Sequence, residues 1–180
     1  MNKLVYAALA SGAMILASGS AFASDGTITF NGALTAQTCT VNGEGQGKDF
    51  TVTLPTVSTA KLAALGQTAG ATKYSVVLSA CSPVTSSSKA SVFYEAGATV
   101  DPSDGRLIVA SGGAANVKLQ LNNWDGSQIK AGYSATMQNS QPADISTGTA
   151  TLNYQVQYYA TGATTAGAAN SSIVYSINYQ

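Results

Sequence analysis

Leu152-Asn153-Tyr154-Gln155-Val156-Gln157-Tyr158 carries an apolar or aromatic side chain at every second position and an amide between each pair. A period of two is the period of a β-strand with one face on a core and one on water; at 100° per residue the same side chains would scatter around a helix. The pattern recurs along the chain. Phe50, Val52 and Leu54 alternate with Thr51 and Thr53, and Pro55 ends that run. Lys73 to Ala80 presents Tyr74, Val76 and Leu78 on one face. Val117, Leu119 and Leu121 alternate with Lys118 and Gln120, and Ile173, Tyr175, Ile177 and Tyr179 alternate up to Gln180. Ser91–Glu95 and Arg106–Ala110 are shorter candidates, and Ile28, Phe30 and Leu34 share a face of the segment 27–36, with Gly32 at the missing apolar position. About eight strands with polar, Gly-rich connections predict an all-β sandwich. Only Thr59–Leu65, stopped by Gly66, predicts helix, of one or two turns. Asp101–Gly105, Trp124–Gly126 and the stretch 161–169 read as turns or loops.

The first 23 residues read as a secretory signal: Lys3 at the positive start, an apolar run from Leu4 to Leu16, and Ala21-Phe22-Ala23 as the cleavage site. The apolar run is shorter than the roughly 20 residues that cross a bilayer. A mature chain from Ser24 has 157 residues (180 minus 23), the size of one domain. Without Lys3 it holds seven basic and eight acidic side chains, net −1, which offers no attraction to nucleic acid or to an anionic membrane. The mature chain is expected not to be membrane-embedded. At 9% charged residues, the surface work falls to Thr, Ser, Asn and Gln. Export places Cys39 and Cys81 in an oxidising compartment, where a disulfide between them is the default. It would be worth roughly 4 kcal/mol in the chain-entropy model.

The residues of catalysis are scarce. The chain has no histidine, which removes the usual base of a Ser or Cys triad, and two thiolates alone do not complete a zinc site. There is no Gly-rich phosphate loop with its Lys. No catalytic, cofactor or metal residue is predicted. Asp101 and Asp104 read as a turn held by Asp side chains rather than an incomplete calcium loop. Trp124, beside Asn123 and Asp125, reads as an apolar anchor at a strand end, with a sugar-stacking platform as the alternative.

The two chain ends do not balance. A strand-like segment precedes the first cysteine, and the final apolar strand stops at Gln180 with no strand after it to cover its edge. In order, Thr27-Ile-Thr-Phe-Asn-Gly-Ala-Leu34, Thr38-Cys-Thr-Val41, Val52-Thr-Leu-Pro-Thr-Val-Ser-Thr-Ala-Lys-Leu62, Tyr74-Ser-Val-Val-Leu-Ser-Ala-Cys81, Asn116–Leu121, Tyr154–Ala163, Gly167–Asn170 and Ile177-Asn-Tyr-Gln180 resemble the major pilins of chaperone–usher fimbriae, the type 1 fimbrial shaft subunits.

That resemblance implies an incomplete immunoglobulin-like β-sandwich lacking its last strand. It implies a signal (1–23), a donor-strand extension (24–36) and a pilin domain (37–180). It implies a structural subunit that passes through the periplasm, is held by a periplasmic chaperone, is assembled at an outer-membrane usher, and polymerises with identical subunits into an extracellular fimbrium supporting adhesion and biofilm formation. Minor adaptor and carbohydrate-binding adhesin are the alternatives. Ile28, Phe30 and Leu34 would fill pockets of the neighbouring subunit, with Gly32 where no side chain fits. Ile173, Tyr175, Ile177, Tyr179 and Gln180 would form the groove wall and the chaperone contact, with Tyr179 and the Gln180 carboxylate read by the chaperone.

Overall fold

Two antiparallel sheets face each other across one apolar core in the computed structural model, which describes residues 36–180 and, before them, Thr29 alone. The predicted signal and the donor residues Ile28, Phe30, Gly32 and Leu34 lie outside the described residues. The larger sheet has the order β1 (Thr38–Gly43), β2 (Thr68–Ser82), β8 (Ala150–Ala160), β5 (Val117–Asn123) and β4 (Leu107–Ile108), with β6 (Gln128–Ile129) also on β5. The smaller runs β7 (Ala143–Asp144), β3 (Lys89–Tyr94), β9 (Tyr175–Tyr179).

The alternation explains the long strands. On β2, Tyr74, Val76 and Leu78 are buried while Val77 between them is 39% exposed. On β8, Leu152, Tyr154 and Val156 are buried, and on β5, Val117, Leu119 and Leu121. Each such side chain moved out of water contributes about 1.5–3 kcal/mol against the entropy of ordering the chain. Cys39 and Cys81 are joined in a disulfide that ties the start of β1 to the end of β2.

Two expectations change. The run Phe50–Leu54 was expected as a strand, yet it pairs with no strand of either sheet. Its alternation is nevertheless used: Phe50, Val52 and Leu54 are half-buried against the core, and Thr51 and Thr53 are exposed. Between Thr59 and Leu65 there is one 3-10 turn, Thr59–Leu62; the Ser58 side chain accepts from Ala60 N–H, and Leu62 is buried. One α-helical turn not expected from the sequence, α1, covers Ala135–Gln138.

Outside the larger sheet, a polar layer closes over β5. Lys118 Nζ lies 2.6 Å from Asp101 and 2.9 Å from Asp104. Arg106 bonds Asp104 and Gln120 and lies 3.6 Å from the centre of the Tyr159 ring. The Asp101–Gly105 turn is thus the Asp-braced turn the sequence suggested, with Ser103 N–H and Oγ–H donating to Asp101 Oδ1 at 2.8 and 2.6 Å. Hydrogen bonds from Lys118 and Ser103 hold the Asp101 carboxyl well below its usual range. Burial pushes Asp104 up, but the bonds from Lys118 and Arg106 outweigh it and leave that carboxyl lowered.

Candidate assembly groove

Pairing decides where the small sheet is finished and where it is not. β9 pairs with β3 through Ala90↔Tyr179, Val92↔Ile177 and Tyr94↔Tyr175. Lys89 and Gln180 exchange both backbone hydrogen bonds at 2.8 Å, and Glu95 N–H donates to Val174 O at 2.9 Å. Antiparallel pairs alternate between bonded and non-bonded. The backbone groups of Ser176, Asn178 and Gln180 therefore face β3, and those of Tyr175, Ile177 and Tyr179 face the opposite edge. No strand among the described residues lies on that edge.

Beside it runs an apolar groove of about 650 Å³. One wall is β9 with the residues before it, where Ile173, Tyr175 and Ile177 point inward; the other is the unpaired run Phe50, Val52, Leu54. The second wall also turns backbone toward the groove. Thr51 gives its N–H and C=O to the Gln46 side-chain amide at 3.2 and 3.1 Å, so in an extended run Phe50 and Val52 face the other way. The floor is core from both sheets, including Tyr74, Val92, Tyr94, Leu119 and Leu121.

An aromatic cluster supports this floor. Phe50 lies 6.1 Å from Tyr74 and 6.0 Å from Tyr175, ring centre to ring centre, and Tyr154 lies 5.8 Å from Tyr74. Gly43 leaves the space for Phe50, because a Cβ there would run into the Phe50 ring. The Tyr74 and Tyr94 hydroxyls bond at 2.6 Å, and burial pushes both phenols above the ordinary tyrosine range, so they stay neutral.

One end of the groove is closed. Tyr179 Oη accepts from Cys39 N–H at 2.9 Å, which fastens the end of β9 beside the disulfide, and a Gln180 carboxyl-terminal oxygen accepts from Lys89 N–H. Of the five wall residues predicted, Ile173, Tyr175 and Ile177 line the groove, while Tyr179 and Gln180 sit at its closed end. The opposite wall was missed as a wall, since pattern alone does not reveal that Phe50–Leu54 lacks a partner. Trp124 stands apart from the groove, just after β5, 49% exposed, with the Lys73 ammonium 3.8 Å from its ring centre.

Among the described residues no group of three or more His, Cys, Asp or Glu is placed to hold a metal ion. What the arrangement offers is an apolar slot flanked by backbone that no described residue claims, which is the recognition chemistry of an added β-strand.

Comparison with known proteins shows the family. Residues 54–180 match the family model of the type-1 fimbrial protein, A. The chain is 42% identical over 174 residues to the F17 fimbrial protein of Escherichia coli, covering 94% of this chain and 96% of that one. It is 45% identical over 163 residues to the major fimbrial subunit SMF-1 of Stenotrophomonas maltophilia, covering 87% and 94%. Among solved structures, the P pilus rod subunit PapA shares the fold, with a TM-score of 0.59 at 13% identity over 79% of this chain and 99% of that one. These relatives are structural subunits, and the surface fimbrium is where such subunits reside. The chain belongs to the type-1 fimbrial protein A family and is a structural subunit of a fimbria.

Proposed function

We propose that this subunit polymerises by donor-strand exchange: residues 24–36 of one copy fill the groove of the next, placing Ile28, Phe30 and Leu34 in its pockets and Gly32 where the floor leaves no room. The observation that carries this reading is the groove itself, apolar inside and bordered by backbone groups of Tyr175 and Ile177 on one side and of Phe50 and Val52 on the other that have no partner among the described residues. Chaperone–pilin complementation is a known instance of strand addition. The lengths agree: Ile28 to Leu34 and Ile173 to Tyr179 each span about 20 Å at ~3.3 Å per residue.

Direction follows from where the chain leaves its domain. Ala36 is exposed and Gln37 is buried, which supports an extension of 24–36 and a domain of 37–180. The exit lies near Cys39, at the closed end of the groove. A donor antiparallel to β9 carries its own domain to the open end of the neighbour's groove, so that every copy points the same way and the contact repeats. A parallel donor would bring two closed ends together and stop. A repeating head-to-tail contact makes a fibre.

On this reading, a periplasmic chaperone holds the edge of β9 after export, contacting Ile173, Tyr175, Ile177, Tyr179 and the Gln180 carboxylate. An outer-membrane usher then exchanges it for the next subunit. The test is a polymerisation assay on mature subunit with and without residues 24–36, read by electron microscopy and SDS-resistant ladders. Ladders from the intact chain alone support the reading. Stable, soluble monomers from both forms overturn it.

A further inference from the structure

Trp124 is the only tryptophan of the chain, and the fold holds it out in solvent. The residues on either side of it are fixed. Asn123 is fully buried; its amide donates to Asn139 O at 2.7 Å and to Ser127 Oγ at 2.9 Å, and its Oδ1 accepts from Gln141 N–H at 3.0 Å. Asp125 has both carboxylate oxygens engaged: Oδ1 accepts from Ser127 N–H and Oγ–H at 2.9 and 2.7 Å, and Oδ2 from the Gln141 amide at 2.7 Å. Gly126 N–H closes the turn on Asn123 O at 3.0 Å. A turn clamped in this way presents a large ring with little conformational freedom left to lose on binding, as an aromatic anchor requires.

The ring stands on the outer face of the larger sheet, the side away from the groove. On β2, Tyr74 and Val76 are buried, so Lys73 and Ser75 point outward; on β8, Tyr154 is buried and Asn153 is exposed. Ser75 pairs with Asn153, Lys73 with Gln155 and Asn123 with Tyr154, so Trp124 comes level with Asn153. Lys73 reaches across to it, its ammonium 3.8 Å from the ring centre. Among the described residues no carboxylate pairs with Lys73, whereas Lys118 and Arg106 are both in ion pairs. The Asn153 side-chain amide likewise has no hydrogen-bond partner among them. On the far side of Ser75, Glu44 Oε1 accepts from the Ser75 N–H and hydroxyl. The patch therefore joins a rigid apolar ring to a cation and an amide that both have hydrogen-bonding capacity to spare.

We propose that Trp124, Lys73 and Asn153 form a binding site on the side of the fimbria for a carboxylate-bearing pyranose, a sialate or a uronate. The C–H face of the sugar ring replaces the ammonium over the indole. Lys73 swings aside to the sugar carboxylate, and the Asn153 amide bonds a neighbouring hydroxyl or acyl group. The acid decides the exchange. A neutral sugar would break the cation–π contact and return nothing for it, while a carboxylate returns a charge-assisted hydrogen bond. A single site this open is weak. A fimbria repeats it on every subunit, so a surface dense in such sugars holds the fibre by many contacts at once. The site rests on the fimbrial family assignment and not on the donor-strand reading, since the groove lies on the opposite face of the sheet.

The test is a fluorescence titration of fibres of the full chain, excited beyond tyrosine absorption so that Trp124 reports its own occupancy. The probes are sialyllactose, methyl glucuronide and, as the neutral control, lactose. A saturable change in the millimolar range is expected from at least one acidic sugar and none from lactose at the same concentration. A response to sialyllactose alone assigns the sialate, and one to the glucuronide alone the uronate. No saturable response to either acid overturns the proposal, and so does an equal response to lactose. Lys73→Met alters an exposed side chain and keeps the reporter. It is expected to weaken binding of the acidic sugar at least about tenfold; undiminished binding overturns the proposal. Trp124→Ala fibres, shown to be assembled by their SDS-resistant ladders, should wash off beads coated with the responding sugar on which the parent fibres are retained. Equal retention removes the indole from the site and the proposal with it.

Discussion

The two edges of the three-stranded sheet are treated in opposite ways. On the outer side of β3, Gln138, fully buried, uses its side-chain amide as a short strand: Oε1 accepts from Tyr94 N–H at 2.7 Å and Nε2 donates to Tyr94 O at 2.9 Å. Tyr154 Oη accepts from Val92 N–H at 3.0 Å, and β7 pairs with Lys89 and Ala90. On the β9 side the corresponding groups have no partner among the described residues, and the side chains beneath them are apolar. Proteins ordinarily blunt exposed edges because they recruit other strands. Here one edge is blunted by an amide, a phenol and a two-residue strand, and the other is left able to recruit.

The largest expected effect is on the open edge. Gly32→Leu should abolish ladder formation by the exported subunit while chaperone-bound subunit still accumulates; normal fibres would remove Gly32 from the slot. Next is the closed end. Cys39→Ser cuts the disulfide beside Tyr179, and should cost roughly 4 kcal/mol and lower periplasmic yield. Unchanged yield and thermal stability would show that the bond is dispensable. On the closed edge, Gln138→Leu leaves the Tyr94 N–H and C=O without their amide partner. A loss of about 2–3 kcal/mol in urea unfolding is expected, and unchanged stability would mean that this edge was never at risk. The smallest change is Tyr179→Phe, which removes the acceptor of Cys39 N–H. It should cost about 1 kcal/mol and leave Gly32-dependent assembly in place; loss of assembly would give the hydroxyl a larger part than closing the groove.

The strands that alternate strongly were legible because burial of one face dictates period two. Leu152–Tyr158, Tyr74–Leu78 and Val117–Leu121 lie within β8, β2 and β5. Phe50–Leu54 shows the limit of that signal. Alternation reports which side chains face the core, and they do, but carries no information on whether the backbone finds a partner. Thr38–Gly43 carries little apolar pattern, and it becomes β1 because β2 pairs with it. The two-residue β6 and β7 are too short for any period to show. Gln138, at the end of the short turn α1, carried no signal of its role, since an amide standing in for a strand depends on tertiary placement. Ile173–Gln180 was legible as an apolar last strand, but the bonds of the residues before it were not: the Ala168 and Asn170 carbonyls accept from Ala114 and Ala110, across a sequence of Ala, Asn and Ser.

The closed outer edge of β3 has a consequence for the polymer as a whole. A small sheet with both edges open would accept two donors, while each chain has one N-terminal segment to give. On the donor-strand reading proposed above, with Gln138, Tyr154 and β7 occupying the other side, the subunit is bifunctional in the polymer chemist's sense, with one vacancy and one group to fill another. Such monomers make strings and never networks. On that reading, a buried glutamine on the side of β3 away from β9 fixes the valence, and with it the difference between an unbranched filament and a gel.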